Sequence, residues 1–192
     1  LSVDDLIRII PYSRRVLEKK FKSETGMSVY QYIQQQRIEK FAALLITTDL
    51  PLAEAAADAG AAYLAIHDGA RPLVRPAVID GVIAAAMEWG GAAAGVPVKD
   101  TVKVADEAGF IVSTPDRRRL WNVQAPQVFE KETYLRALRQ AQAEGLEFTD
   151  DCQLVERLGC PVRLWKADYA NIKITTPEDV TFAEGILRQR KE

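Results

Sequence analysis

The sequence predicts an α/β protein with a mostly parallel sheet, preceded by a small all-α module. Two observations carry that prediction. From Tyr63 onward, short apolar runs alternate with segments of helical period, the pattern of strands joined by helices in one sheet. Before Gly60 the chain reads as short, basic, helical segments. A length of 192 residues suits two small domains, and the expected boundaries are 1–60 and 61–192.

The helical part begins with Ser2 as N-cap and Asp5 three residues on; Val3, Leu6, Ile9 and Ile10 then share a face, and Pro11 ends the helix. Ser13 caps a second helix with Val16, Leu17 and Phe21 as its apolar stripe and Gly26 as its left-handed stop. Two helices around Pro11-Tyr12-Ser13 fit a helix-turn-helix. The second helix carries Arg14, Arg15, Lys19, Lys20 and Lys22 against Glu18 alone, a footprint suited to DNA phosphates as well as to a solvated surface. A third helix starts at Ser28, with Gln31 completing a capping box, and a fourth runs from about Thr47, with Pro51 in its first turn and Gly60 as its stop.

In the α/β part a strand over Tyr63 to Ile66 leads to Asp68, where open sheets of this class bind ligands. "PAVIDGVIAAAMEWGG" is a helix closed by glycine and "AAAGVPV" a strand; two strands flank the turn Asp106-Glu107-Ala108-Gly109. "KETYLRALRQAQAEG" and "TDDCQLVERLG" are helices, "PVRLWKA" and "NIKITT" strands, and the final helix opens on Thr176, Pro177 and Asp179.

Composition narrows the function. The net charge of −2 argues against nucleic-acid binding over the whole surface, though not by a local patch. No apolar run reaches a membrane span and no signal-peptide pattern is present, so a cytoplasmic protein is expected. Cys152 and Cys160 are expected as reduced thiols. With His67 the only histidine, a His/Cys zinc centre and a His-based triad are excluded. The chemistry-bearing groups at strand ends are Asp68, Arg71, Lys173 and the run Arg117-Arg118-Arg119. A carboxylate beside such cations suits phosphoryl or nucleotidyl transfer, and equally suits an ion pair at a sheet edge.

Two resemblances sharpen these readings. "SRRVLEKKFKSETGMS" and the residues through Gly60 resemble the DNA-binding domain of AraC/XylS-type transcription regulators, with the second recognition helix absent. The resemblance implies DNA contact by Arg14, Arg15 and Lys19, of the weak, salt-sensitive kind expected from half a reader. "IHDGARPLV", "VPVKDTVK", "TPDRRRLWNVQAPQVF", "TDDCQLVERLG" and "NIKITTPEDV", in that order, resemble the 2-C-methyl-D-erythritol 4-phosphate cytidylyltransferase family, with the related ribitol-phosphate enzymes as nearest rival.

That second resemblance implies a nucleotide-diphospho-sugar-transferase-like (Rossmann-like) fold with a β-arm over Thr101 to Ser113, and a homodimer through that arm. It also implies Mg²⁺ as cofactor and CTP and methylerythritol phosphate as substrates. Asp68 matches the aspartate near metal and nucleotide, Arg71 its motif arginine, and Lys173 the lysine that stabilises the transition state. Thr101 and Arg117 match residues reaching the partner subunit's substrate phosphate. Ala125 stands where the family often has threonine.

The family opens with a strand and a Gly-rich, basic loop that wraps the CTP triphosphate. No such loop precedes Tyr63, and "EWGGAAAGVP" lacks the basic residues, reading instead as a helix stop and a strand. The expectation is a fusion of two incomplete modules whose sheet is incomplete and which is inactive alone. A DNA-binding regulator fragment and a non-catalytic dimerisation remnant are the alternatives.

Overall fold

The computed structural model describes residues 3–10, 12–33, 35–36, 39, 60–146 and 148–190. Ser2, Pro11 and the expected fourth helix lie outside them. The chain divides into two compact units, Leu1–Leu64 and Ala65–Glu192.

In the first unit α1 (Val3–Ile9) and α2 (Arg14–Thr25) flank a short turn. Gly26, at φ 75°, closes α2 and donates its N–H to the Lys22 carbonyl, the left-handed stop expected of glycine. Ser13 holds the N-cap position with extended backbone but makes no side-chain cap bond. The capping box does form at Ser28, whose N–H is accepted by Gln31 Oε1 at 2.9 Å while Ser28 Oγ accepts from Gln31 N at 3.1 Å; residues 29–33 are helical. Leu17 and Val29 are buried, and Phe21 meets Tyr32 edge-on at 5.3 Å. Ile9 and Val16, expected on the apolar faces, are 74% and 41% exposed. The stripe of α2 passes through positions 17 and 21, four apart on one helical face, and position 16 lies about 100° away from 17.

The second unit is built on a sheet in the order β1 (Tyr63–Ile66), β5 (Trp121–Glu130), β2 (Gly91–Pro97), β6 (Arg163–Lys166). The short strands β3 (Val104–Ala105) and β4 (Ile111–Ser113) form the separate arm around the expected turn, where Gly109 N–H bonds the Asp106 carbonyl. The α/β class is as expected, but the sheet is mixed: β2 runs parallel to β6 and antiparallel to β5. The physical reason is the connection. β2 leads to β5 through the arm rather than through a crossover helix, and only parallel neighbours require a crossover.

Helix α3 (Pro76–Trp89) packs on β2, β5 and β6, and buries Val78, Val82, Ala85 and Ala86. Gly90, at φ 85°, stops α3 and Gly91 starts β2, so "EWGG" is a helix stop followed by a strand. Helix α4 (Lys131–Glu144) packs on β5 and on α5 (Asp151–Arg157); α6 (Pro177–Gln189) closes the described chain. Its capping box between Thr176 and Asp179 is present as the sequence implied. Cys152 and Cys160 are free thiols, and burial foremost pushes the Cys152 thiol up from its ordinary range.

Two elements differ from the sequence prediction. "NIKITT" is not a strand. Asp179 Oδ2 takes the N–H groups of Thr175 and Thr176, both at 2.9 Å, so they are unavailable to a ladder, and a backbone bond from Ile174 N–H to the Ala70 carbonyl helps tie the segment to the loop after β1. β5, in contrast, is ten residues long although it contains Pro126, which cannot donate to a ladder. The strand absorbs the proline in a bulge: Ala93 faces Gln127 and Gly95 faces Val123, so two steps on β2 span four on β5.

Candidate active site

β1 ends two residues before Asp68. The turn that follows returns Arg71 toward it, with Arg71 N–H bonded to the Asp68 carbonyl at 3.0 Å. Arg71 Nε then lies 3.2 Å from Asp68 Oδ2, while its terminal nitrogen donates to the Asn171 carbonyl at 2.8 Å. The bond from Ile174 to Ala70 draws the 171–175 segment alongside, and Lys173 Nζ comes to 3.3 Å from the same Asp68 oxygen. Asp68 and Arg71, in one turn, and Lys173, far along the chain, thus meet at one carboxylate oxygen. Burial acts to raise the Asp68 carboxyl, but hydrogen bonds and charge from Lys173 and Arg71 outweigh it and hold the group below the usual carboxylate range. His67 braces the turn from outside, its Nε2 3.1 Å from the Arg71 carbonyl.

This cluster opens on a pocket of about 190 Å³ whose other walls are the bulged stretch of β5, with Gln124, Ala125 and Gln127, and the start of α5 at Thr149, Asp150 and Asp151. Gln127 Oε1 accepts from the Cys152 N–H at 3.0 Å and so fixes that helix start against the strand. Tyr134 donates to Asp151 Oδ1 at 2.5 Å from the buried side. Burial first, and then Asp151, raise the Tyr134 phenol above its ordinary value. The folded state therefore keeps this proton longer than the unfolded chain. The resulting stability is complete below about pH 10 and lost as pH rises beyond it, with a slope approaching 1.4 kcal/mol per pH unit, roughly one proton's worth. Urea unfolding followed from pH 8 to 11 should show this decline, and Tyr134→Phe should remove it.

Thr101 and Arg117 lie elsewhere. Both are exposed, Arg117 donates to the Lys99 carbonyl at 2.7 Å, and neither lines the pocket around Asp68 in the same chain. The arm between them exposes Val104, Phe110, Ile111 and Val112. In the helical unit, Arg14, Arg15 and Lys19 are exposed on α2, with Arg15 and Lys19 one turn apart on one face. Among the described residues no group of three or more His, Cys, Asp or Glu side chains is placed to hold a metal. Asn171, Gln124 and Gln127 are buried polar groups behind the cluster that the strand-end search missed. Their one sequence signal is an amide side chain inside an otherwise apolar run.

A mixed α/β sheet with a carboxylate held between two cations beyond its strand ends is an arrangement suited to phosphoryl or nucleotidyl transfer. The model of the 2-C-methyl-D-erythritol 4-phosphate cytidylyltransferase family matches residues 37–189, and the chain belongs to that family. A helix-turn-helix domain model matches residues 6–64, so the chain joins the two modules and residues 37–64 match both. The cytidylyltransferase of Caldanaerobacter subterraneus subsp. tengcongensis is 60% identical over 126 residues, 66% of this chain and 56% of that protein. That of Desulforamulus reducens is 53% identical over 125 residues, covering 65% and 53%. The chain therefore spans about half the length of the curated relatives it matches. The crystal structure of the Thermus thermophilus enzyme superposes with a TM-score of 0.64 at 35% identity, over 71% of this chain and 66% of the other.

Proposed function

We propose that the α/β unit carries the acid–base cluster of a cytidylyltransferase site, acting on CTP and a methylerythritol phosphate, and that the chain does not turn over alone. The observation that supports this is the meeting of Lys173 and Arg71 at one oxygen of Asp68, 3.3 and 3.2 Å away, beside a pocket. In the reaction a phosphate oxygen of the sugar phosphate attacks the α-phosphorus of CTP. A new P–O bond forms, the bond to the β-phosphate breaks, and pyrophosphate leaves with the electron pair. Lys173 and Arg71 place positive charge where the phosphoryl oxygens gain negative charge, and because both are already held by Asp68 they need little reorganisation.

The donor set fits Mg²⁺, which is commonly held by one or two carboxylates with the remaining positions left to water and substrate phosphates. Asp68 is a single, 40% exposed carboxylate facing the pocket and would be its ligand. Such an ion supplies further neutralisation of phosphate charge. Thr101 and Arg117, at either end of an arm with apolar side chains turned to solvent, are suited to a homodimer in which they serve the partner's substrate phosphate. The inactivity proposal rests on residues 1–62, which carry a helix-turn-helix match where a Gly-rich basic loop would grip the triphosphate.

Pyrophosphate release from CTP, methylerythritol phosphate and Mg²⁺ tests this, with Lys173→Ala as control. The expected result is no release above that control, with thermal stabilisation by substrate that Lys173→Ala reduces. Release abolished by Lys173→Ala would overturn the inactivity and keep the enzyme; no stabilisation by either substrate would overturn the site.

A second reading is favoured by the exposed basic face of α2. The helical unit is proposed to bind DNA weakly and without strong sequence preference, at about 10⁻⁴–10⁻⁶ M. Fluorescence anisotropy on a short duplex should show affinity falling with salt, and the double change Arg14→Ala, Arg15→Ala should flatten that dependence. Binding indifferent to salt and to both changes would remove α2 as the contact.

A further inference from the structure

Asn171 is fully buried, two residues before Lys173, and its side chain points away from its own loop into the bulge of β5. There its Nδ2 donates to the Ala125 carbonyl at 2.8 Å and to Gln124 Oε1 at 3.3 Å. Ala125 lies within the extra residues of the bulge and has no partner in the β2 register. Gln124 returns the tie, its Nε2 donating to the Asp168 carbonyl at the start of the same loop at 3.3 Å. On its other side, the Asn171 backbone carbonyl accepts from Arg71 at 2.8 Å. One residue thus touches Arg71 directly, holds Lys173 through two peptide units, and is itself fixed to the strand that walls the pocket.

We infer that Asn171 is a positioning residue that sets both Lys173 and Arg71 against Asp68, by pinning their loop to the bulge of β5. The carbonyl that receives the pin lies in the bulge beside Pro126. Without the Ala125 carbonyl the buried Asn171 amide would lose its shorter bond, a costly arrangement. The inference rests on the cytidylyltransferase reading for the purpose of the cluster, not for its geometry.

The test uses the full chain, labelled with ¹⁵N, and inorganic pyrophosphate as probe. In the parent protein the Arg71 Nε–H should give a distinct, slowly exchanging signal. Asn171→Ala should move it toward that of a free arginine and weaken pyrophosphate binding about tenfold, the equivalent of one lost hydrogen bond. Val82→Ala, a buried change in α3 away from the pocket, supplies the control for plain destabilisation. It should leave both readouts unmoved. An Arg71 signal unchanged in Asn171→Ala, or disturbed equally in Val82→Ala, would overturn the inference. Should Asn171→Ala not fold, Gln124→Met cuts the other half of the same tie and is judged by the same criteria. If the parent protein binds no pyrophosphate, the Arg71 signal alone decides the positioning, and the cytidylyltransferase reading is decided by the substrate-stabilisation test above.

Discussion

Phe129→Ala is expected to lower the stability of the α/β unit by about 3–5 kcal/mol, the range for removing a fully buried aromatic ring. Phe129 is 0% exposed on β5. Its ring stacks on Tyr134 of α4 with centroids 5.6 Å apart and planes 17° from parallel, joining sheet to helix. Across the ladder it faces Gly91, where a Cβ would lie 3.1 Å from the ring. The ring therefore fills the space the glycine leaves, and glycine has no side chain with which to refill it. Urea unfolding followed by tryptophan fluorescence checks the value. Trp89, Trp121 and Trp165 all belong to the second unit, so the signal reports on that unit alone. A loss below about 1 kcal/mol would mean that Tyr134 and α4 collapse into the gap.

The second large effect is expected at Arg71. Its side chain is 13% exposed and its guanidinium spans two partners, the Asp68 carboxylate and the Asn171 carbonyl. Arg71→Met keeps most of the volume and removes both bonds. Asp68 is left with Lys173 as its one remaining cation of the two, and the carbonyl loses a charged donor. Hydrogen bonds involving a charged group contribute about 1.5–3 kcal/mol, and the expected loss of stability is about 2–3 kcal/mol. The Asp68 carboxyl should also rise toward its ordinary range, since part of what holds it down is gone. Arg71→Lys retains the charge but not the planar fork that reaches both partners at once, and should recover less than half of the loss. Chemical denaturation of the three proteins at one pH measures the stability losses, and a pH titration of the Asp68 carboxyl by NMR measures its rise. A full recovery in Arg71→Lys would show that charge alone matters at this position.

Much of the architecture was legible because it is local. The stop of α3 at Gly90, the box at Thr176 and Asp179, and the turn at Asp106 to Gly109 each depend on residues within four positions of one another, where backbone preference and capping chemistry decide the outcome. The helix-turn-helix and cytidylyltransferase resemblances were legible for a different reason: runs of specific residues in order, at fixed spacing. The cluster was half legible. Asp68 and Arg71 sit three apart in one turn, whereas Lys173 joins them through bonds such as Ile174 to Ala70 and Arg71 to Asn171, across about a hundred residues of chain.

By itself, then, the sequence determined that two modules share the chain and that the second is α/β, and it singled out Asp68, Arg71 and Lys173 as candidate groups. Tertiary structure alone decided the sheet directions, the loss of the expected "NIKITT" strand, the survival of β5 around Pro126, and the place of Asn171 behind the cluster. The physical reason is that these outcomes turn on where buried backbone groups find partners. A carbonyl in the bulge of one strand is satisfied by an amide nearly fifty residues later, by the numbering, and no local periodicity encodes that pairing.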